Sequence, residues 1–202
     1  MKKLLLSSAL ALSVISGSAM ADIHNGQLTF SWQAAIPSAP ILDSKWAFVD
    51  ALDIAWEPAG AEELKVTKGT GNITLASLKP FDFFIAPVTG KADPGNKITR
   101  PTPAISITGV DVFLASNPVT TGLVDGKQLG VSANAVAGDN EVAITLNGEP
   151  LQVGSGNQKA VSVTSGKDPH IVIEANAKIA NGQYVDGGSI SISAPVVFAV
   201  NI

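Results

Sequence analysis

Histidines, cysteines and paired carboxylates are the residues on which most enzymes and metal centres depend, and this 202-residue chain is poor in them. It has no cysteine and only two histidines, His24 and His170, far apart in sequence. Zinc ribbons, iron–sulfur sites, cysteine nucleophiles, CxxC redox pairs and disulfide frameworks are therefore excluded. A Ser-His-Asp triad or a histidine metal cluster has almost no material, and both histidines read as surface residues. Asp50, Asp53, Glu57, Glu62 and Glu63 form an acidic stretch, but without EF-hand spacing it reads as an exposed loop, and no metal is expected. Asp82 and Glu174 have no visible partner for paired-carboxylate chemistry. Gly69-Thr70-Gly71 and Gly154-Ser155-Gly156 match no phosphate-loop pattern between strand and helix, so they read as turns. The sequon Asn72-Ile73-Thr74 matters only in a host that glycosylates such sites. Trp46, Trp56 and Tyr184 could make a sugar-stacking platform, although Trp46 and Phe48 alternate, which sends at least one of them into a core. No cofactor is expected, and the chain does not read as an enzyme.

The elements that would carry these residues are strands. Segments rich in Val, Ile, Thr and Phe recur between Gly, Pro, Asn and Asp, and no stretch sustains a helical period. Ala59 to Lys65 could form one helical turn. Val142 to Leu146, then Asn147-Gly148, then Glu149 to Val153 predicts a hairpin, because Asn-Gly supplies the two positive φ angles of a type I′ turn. Pro150 makes its second arm an edge strand. Asp125-Gly126 and Asn181-Gly182 are further turn signals, and Ile190 and Ile192 alternate with serines as in a half-buried strand. Short strands with turns every eight to twelve residues predict an all-β fold, an immunoglobulin-like two-sheet sandwich. A jelly roll or small barrel shares that periodicity.

Residues 1–21 read as a secretory signal peptide: Lys2 and Lys3, an apolar run from Leu4 to Ile15, and Ala19-Met20-Ala21 before the expected cleavage. The run is too short and too serine-broken for a membrane span. Loss of Lys2 and Lys3 takes the basic count from 13 to 11 against 17 acids, and the net charge from −4 to −6. An acidic chain of this kind excludes nucleic acid as a partner. The remainder is one globular domain's length.

Both ends of the mature chain are patterned. From Leu28 the period is strictly two: Leu28, Phe30, Trp32, Ala34 and Ile36 fall on one face, with Thr29, Ser31 and Gln33 on the other. At the carboxyl end Val196, Phe198, Val200 and Ile202 share a face. Chain ends usually fray, so two apolar terminal strands are either tied into their own sheet or matched to a partner.

Gly26-Gln27-Leu28-Thr29-Phe30 near the mature start, and Gly187-Gly188 followed by an alternating strand ending on Val196, Phe198, Val200 and Ile202, resemble a chaperone–usher fimbrial (pilus) subunit. Lys45 to Val49 and Ala194 to Val200 are similar to the cysteine-free major subunits of enterobacterial colonisation fimbriae. The layout covers the whole mature chain. The resemblance implies an incomplete sandwich, completed by a strand lent by a periplasmic chaperone and then, at the outer-membrane usher, by the next subunit. It implies a donor extension at 22–37, with Leu28, Phe30, Trp32, Ala34 and Ile36 as donated side chains, and a pilin domain at 38–202. It further implies a final strand, bearing Val196, Phe198, Val200 and Ile202, that serves the chaperone–usher pathway. Identical or related subunits are the implied partners, with a host glycan or glycoprotein receptor as a further one. The protein would pass through the periplasm to an extracellular fimbria. Three departures stand out: no cysteine where many subunits have a disulfide, Asn201 where many have tyrosine, and Trp32 where the donor-strand glycine would align. The competing expectation is a self-contained secreted lectin, with a jelly-roll glycosidase third.

Overall fold

The computed structural model describes residues 23–31, 45–58, 60–90 and 92–202, with backbone alone for 23–31. The signal peptide, Trp32, Ala34 and Ile36 lie outside the described residues. Thirteen strands run through the described chain: β1 (Ile23–Ser31), β2 (Trp46–Val49), β3 (Leu64–Lys68), β4 (Asn72–Ser77), β5 (Phe81–Pro87), β6 (Gly109–Leu114), β7 (Val119–Thr121), β8 (Gly130–Val131), β9 (Glu141–Leu146), β10 (Glu149–Pro150), β11 (Lys159–Val161), β12 (His170–Ala180) and β13 (Ser191–Asn201). Two short 3-10 turns are the only helical pieces among the described residues. The helical turn expected at 59–65 is absent from the described part of that span, 60–65, where Leu64 and Lys65 open β3 and pair with β4.

The strands form two sheets, antiparallel except for a short parallel β8–β9 pair. One sheet runs β2–β5–β12–β9, with β3 and β4 lengthening its first two positions: β4 pairs with Asn176–Ala180 of β12, and β5 with His170–Ile173. The other runs β11–β6–β13–β1, with β7 continuing β6 along the start of β13. In an immunoglobulin-like sandwich one sheet orders its strands A-B-E-D and the other C-F-G. Taken in chain order, β2 is A, β5 is B, β6 is C, β9 is D, β12 is E and β13 is F. The chain thus reaches its last strand at F, and the G position is held by β1, antiparallel to β13 as a G strand would be.

Alternation builds the core between the sheets. In β13, Ile192, Ala194, Val196, Phe198 and Val200 are fully buried while the odd-numbered residues are half-buried. In β12, Ile171, Ile173, Ala175, Ala177 and Ile179 point the same way. Aromatic rings fasten one sheet to the other. Phe48 of β2 meets Phe198 of β13 edge-on at 5.1 Å, and Phe83 of β5 meets both, at 5.3 and 5.9 Å. Such pairs add about 0.5–1.5 kcal/mol beyond their buried area. Strand β2 is buried on both faces because Ala55 and Ile98 cover Ala47 and Val49 from outside.

The Asn147-Gly148 hairpin forms between β9 and β10, with φ of 50° and 84° at the two turn residues. Its second arm is only two residues long. Leu151 still donates to the Ile144 carbonyl at 2.8 Å, but Val153 bridges to Leu114 in the opposite sheet. Pro150 lacks the N–H that a longer ladder would use and sits at the sheet's edge.

Candidate functional site

The edge of β13 bearing β1 is where the architecture departs from a closed sandwich. Their register is continuous over nine residues, from Ile23 opposite Asn201 to Ser31 opposite Ser193. Within it, Gly26 stands opposite Phe198, Leu28 opposite Val196 and Phe30 opposite Ala194. Even-numbered residues of β1 thus face those residues of β13 whose side chains are buried. Among the described strands, β1 pairs with β13 alone.

Backbone parity explains how β13 keeps this edge intact. The Pro195 carbonyl accepts from Ala115 N at 2.9 Å and the Asn201 carbonyl from Thr108 N at 2.8 Å, so odd-numbered residues of β13 turn their backbone groups toward β6 and β7. Even-numbered residues, Ala194, Val196, Phe198 and Val200, turn theirs toward β1. Proline in an inner strand normally breaks a ladder. Pro195 does not break this one, because its ring nitrogen faces the junction between β6 and β7, where no partner strand needs an N–H.

Of the residues singled out from sequence, Val196, Phe198 and Val200 lie fully buried along this edge, and Ile202 is half-buried just beyond the strand, against the core. Leu28 and Phe30 lie in β1 at the register positions given. Trp32, Ala34 and Ile36 are outside the described residues. Gly26, a residue without a side chain, stands across from Phe198, the largest buried side chain on β13, a pairing that the Gly-x-Leu-Thr-Phe motif by itself does not give.

The other candidate chemistry resolves into scaffolding. Trp46 is completely buried, and Trp56 stacks on Phe83 at 4.3 Å and 15°, so the aromatic platform expected of a lectin is not assembled. Tyr184 donates to Asn181 Oδ1 at 2.8 Å. Asp50 Oδ1 accepts from the N–H groups of Leu52 and Ile54 at 2.8 and 2.9 Å, folding its own loop. Arg100 forks onto both oxygens of Asp168 at 2.9 and 2.6 Å and reaches Asp53 at 2.5 Å. Donation to Asp168, ahead of donation to Asp53, raises the pKa of the guanidinium above its ordinary value, so this clamp between loops stays charged. His170 Nε2 lies 2.6 Å from Asp82 Oδ1 and its ring stacks on Phe84 at 4.7 Å. Among the described residues no three His, Cys, Asp or Glu side chains gather where they could hold a metal ion.

The chain is 49% identical over 203 residues to the CS5 fimbrial subunit of Escherichia coli, an alignment spanning 100% of this chain and 99% of that protein. No protein-family model matches it, and no solved structure matches it. A full-length relationship at that identity, on a sandwich whose G position is held by the chain's own amino-terminal strand, places this protein in the family of fimbrial subunits, structural proteins that associate with one another in an extracellular surface appendage.

Proposed function

We propose that this protein is the repeating major subunit of an adhesive fimbria and polymerises head-to-tail by donor-strand exchange. Residues 22–37 are the donor extension and residues 38–202 the acceptor domain. The observation that carries the reading is the place of β1: it fills the G position through pairing with β13 only, as a separable strand would. The same strand from a neighbouring copy meets the same edge in the same register. Leu28, Phe30, Trp32, Ala34 and Ile36 are the donated side chains, and at ~1.5–3 kcal/mol for full burial of each of the four large apolar ones the upper bound on their contribution is roughly 6–12 kcal/mol, before the cost of ordering the strand. Before assembly the bare edge of β13 and the apolar gap beside it would aggregate, which calls for a periplasmic chaperone that lends a strand and an outer-membrane usher where it is exchanged. Attachment to a host glycan or glycoprotein is the role of the finished fibre.

Electrophoresis in SDS of fimbriae sheared from producing cells, unboiled and boiled, tests the exchange. A ladder that collapses on boiling to one band near the mature mass is expected. Phe30→Asp with Trp32→Asp should abolish the ladder and leave chaperone-bound monomer, whereas ladders of normal length from that variant would refute the donor assignment.

A further inference from the structure

Two strands back β13 on the side away from β1, and they are held unequally. Strand β6 pairs with Val196 to Asn201, and its own far edge is covered in turn: β11 pairs with Val110 to Val112, while Leu114 donates to the Gln152 carbonyl at 3.0 Å and accepts from Gly154 N at 2.9 Å. Strand β7 backs Ser191 to Ser193 with only three residues, set between Pro118 and Gly122. Among the described strands it pairs with β13 alone. A strand of that length with a single neighbour stands at the lower limit of what a sheet holds.

The far edge of β7 is closed by a side chain. Val119 and Thr121 turn their backbone groups toward β13, which leaves the N–H and C=O of Thr120 directed away from it. Gln128 Oε1 accepts from Thr120 N at 2.8 Å, and Gln128 Nε2 donates to the Thr120 carbonyl at 2.9 Å. A primary amide carries a donor and an acceptor side by side, so Gln128 stands where a residue of a neighbouring strand would stand. Its Nε2 also donates to the Gly126 carbonyl at 3.3 Å, and the buried Leu123 and Leu129 root the loop that carries it in the core. On the other flank of β7 the hydroxyls of Thr121 and Ser191 meet at 2.6 Å, tying it to β13.

We propose that Gln128 is a positioning residue for donor-strand exchange: through β7 it holds Ser191 to Ser193 extended before the strand of a neighbouring copy arrives. The inference rests on the donor-strand reading and divides the receiving edge into two parts. The part opposite Ile23 to Leu28 is backed by β6. The part opposite Ser31, and opposite Trp32 when the register is carried one residue further to Ile192, is backed by β7 and therefore depends on Gln128. An edge already held in shape lowers the ordering cost that the incoming strand must overcome.

The temperature at which the SDS ladder of sheared fimbriae collapses reads the strength of the contact. Gln128→Ala should lower it. Gln128→Glu, which still accepts from Thr120 N–H but cannot donate to the Thr120 carbonyl, should fall between that variant and the natural chain. Gln128 is exposed, so neither change opens the core. Double-substitution cycles then separate positioning from a general loss of stability. Combined with Trp32→Ala, Gln128→Ala should lower the collapse temperature by less than the sum of the two single shifts, because both act on the part backed by β7. Combined with Leu28→Ala, which lies opposite Val196 in the part backed by β6, it should add in full. An unchanged temperature for Gln128→Ala, or equal additivity with both donor positions, overturns the proposal and leaves donor-strand exchange standing. Absence of any ladder from the natural chain overturns the exchange and the proposal with it. Should Gln128→Ala yield no fimbriae, Gln128→Glu takes its place in the same cycles, with the same outcomes deciding.

Discussion

Gly122 and Gly148 share a left-handed backbone, with φ of 86° and 84°, but differ in what surrounds them. A Cβ at Gly148 would meet nothing within 4 Å, whereas at Gly122 it would fall 1.9 Å from the Ser189 carbonyl oxygen. Gly148→Ala therefore incurs only the left-handed penalty, about 1–2 kcal/mol. Gly122→Ala must also push apart the start of β13, for a total of roughly 3 kcal/mol or more. Denaturant midpoints of the two variants should rank in that order, and equal midpoints would contradict the close approach. Arg100 makes a parallel case for side chains. Arg100→Lys keeps the charge but cannot fork onto Asp168 while reaching Asp53, so it should lose up to about 1 kcal/mol in the same measurement despite the conserved sign. Only part of this was legible in sequence: Asn147-Gly148 announces its turn, while nothing near Arg100 or Gly122 names a partner 68 or 67 residues further along, Asp168 or Ser189.

Strand β13 is the element on which the fold depends, since it carries a core face, a partner edge toward β6 and β7, and an edge toward β1. Its parity makes a backbone prediction for β1. Even-numbered residues of β1 exchange hydrogen bonds with Ala194, Val196, Phe198 and Val200, and odd-numbered N–H groups point to the unpaired side. Gln27→Pro should accordingly preserve the SDS-resistant ladder, since proline is tolerated where no ladder N–H is required. Leu28→Pro should lose it, and Leu28→Ala, retaining the N–H, should fall between. Equal loss in the Gln27 and Leu28 proline variants would show the register to be wrong. Alternation in the sequence was sufficient to find β13 and, of β1, only its last four residues from Leu28, since Ile23 to Gln27 carry no such period. It was not sufficient for β3, where Leu64-Lys65-Val66-Thr67-Lys68 is mostly exposed and is held as a strand by its pairing with β4; an edge strand without a buried face has no period to read.

At the scale of the whole molecule, the exchange we propose gives each copy one strand to offer and one receiving edge on β13, a heterologous contact of the kind that generates an open filament. A subunit able to receive but not to donate should then terminate growth. Producing the Phe30→Asp, Trp32→Asp variant alongside the natural chain is expected to shorten fibres in proportion to its share, measured as fibre length by electron microscopy; unchanged lengths with the variant incorporated would argue against a single donor per copy. Composition and periodicity by themselves determined the all-β character, the Asn147-Gly148 hairpin, the apolar face of the last strand and the absence of thiol chemistry, because each depends on residue type or on spacing within a few positions. Which strands neighbour one another, that β13 lies between β1 and β6 at the F position, that Gly26 lies opposite Phe198, and that Trp46 and Trp56 pack inward are decided only in the tertiary structure. Apart from the β3–β4 and β9–β10 hairpins and the short β8–β9 pair, those facts join residues more than twenty-five positions apart, and a two-residue repeat says which face of a strand is apolar but carries no information about which edge it will meet.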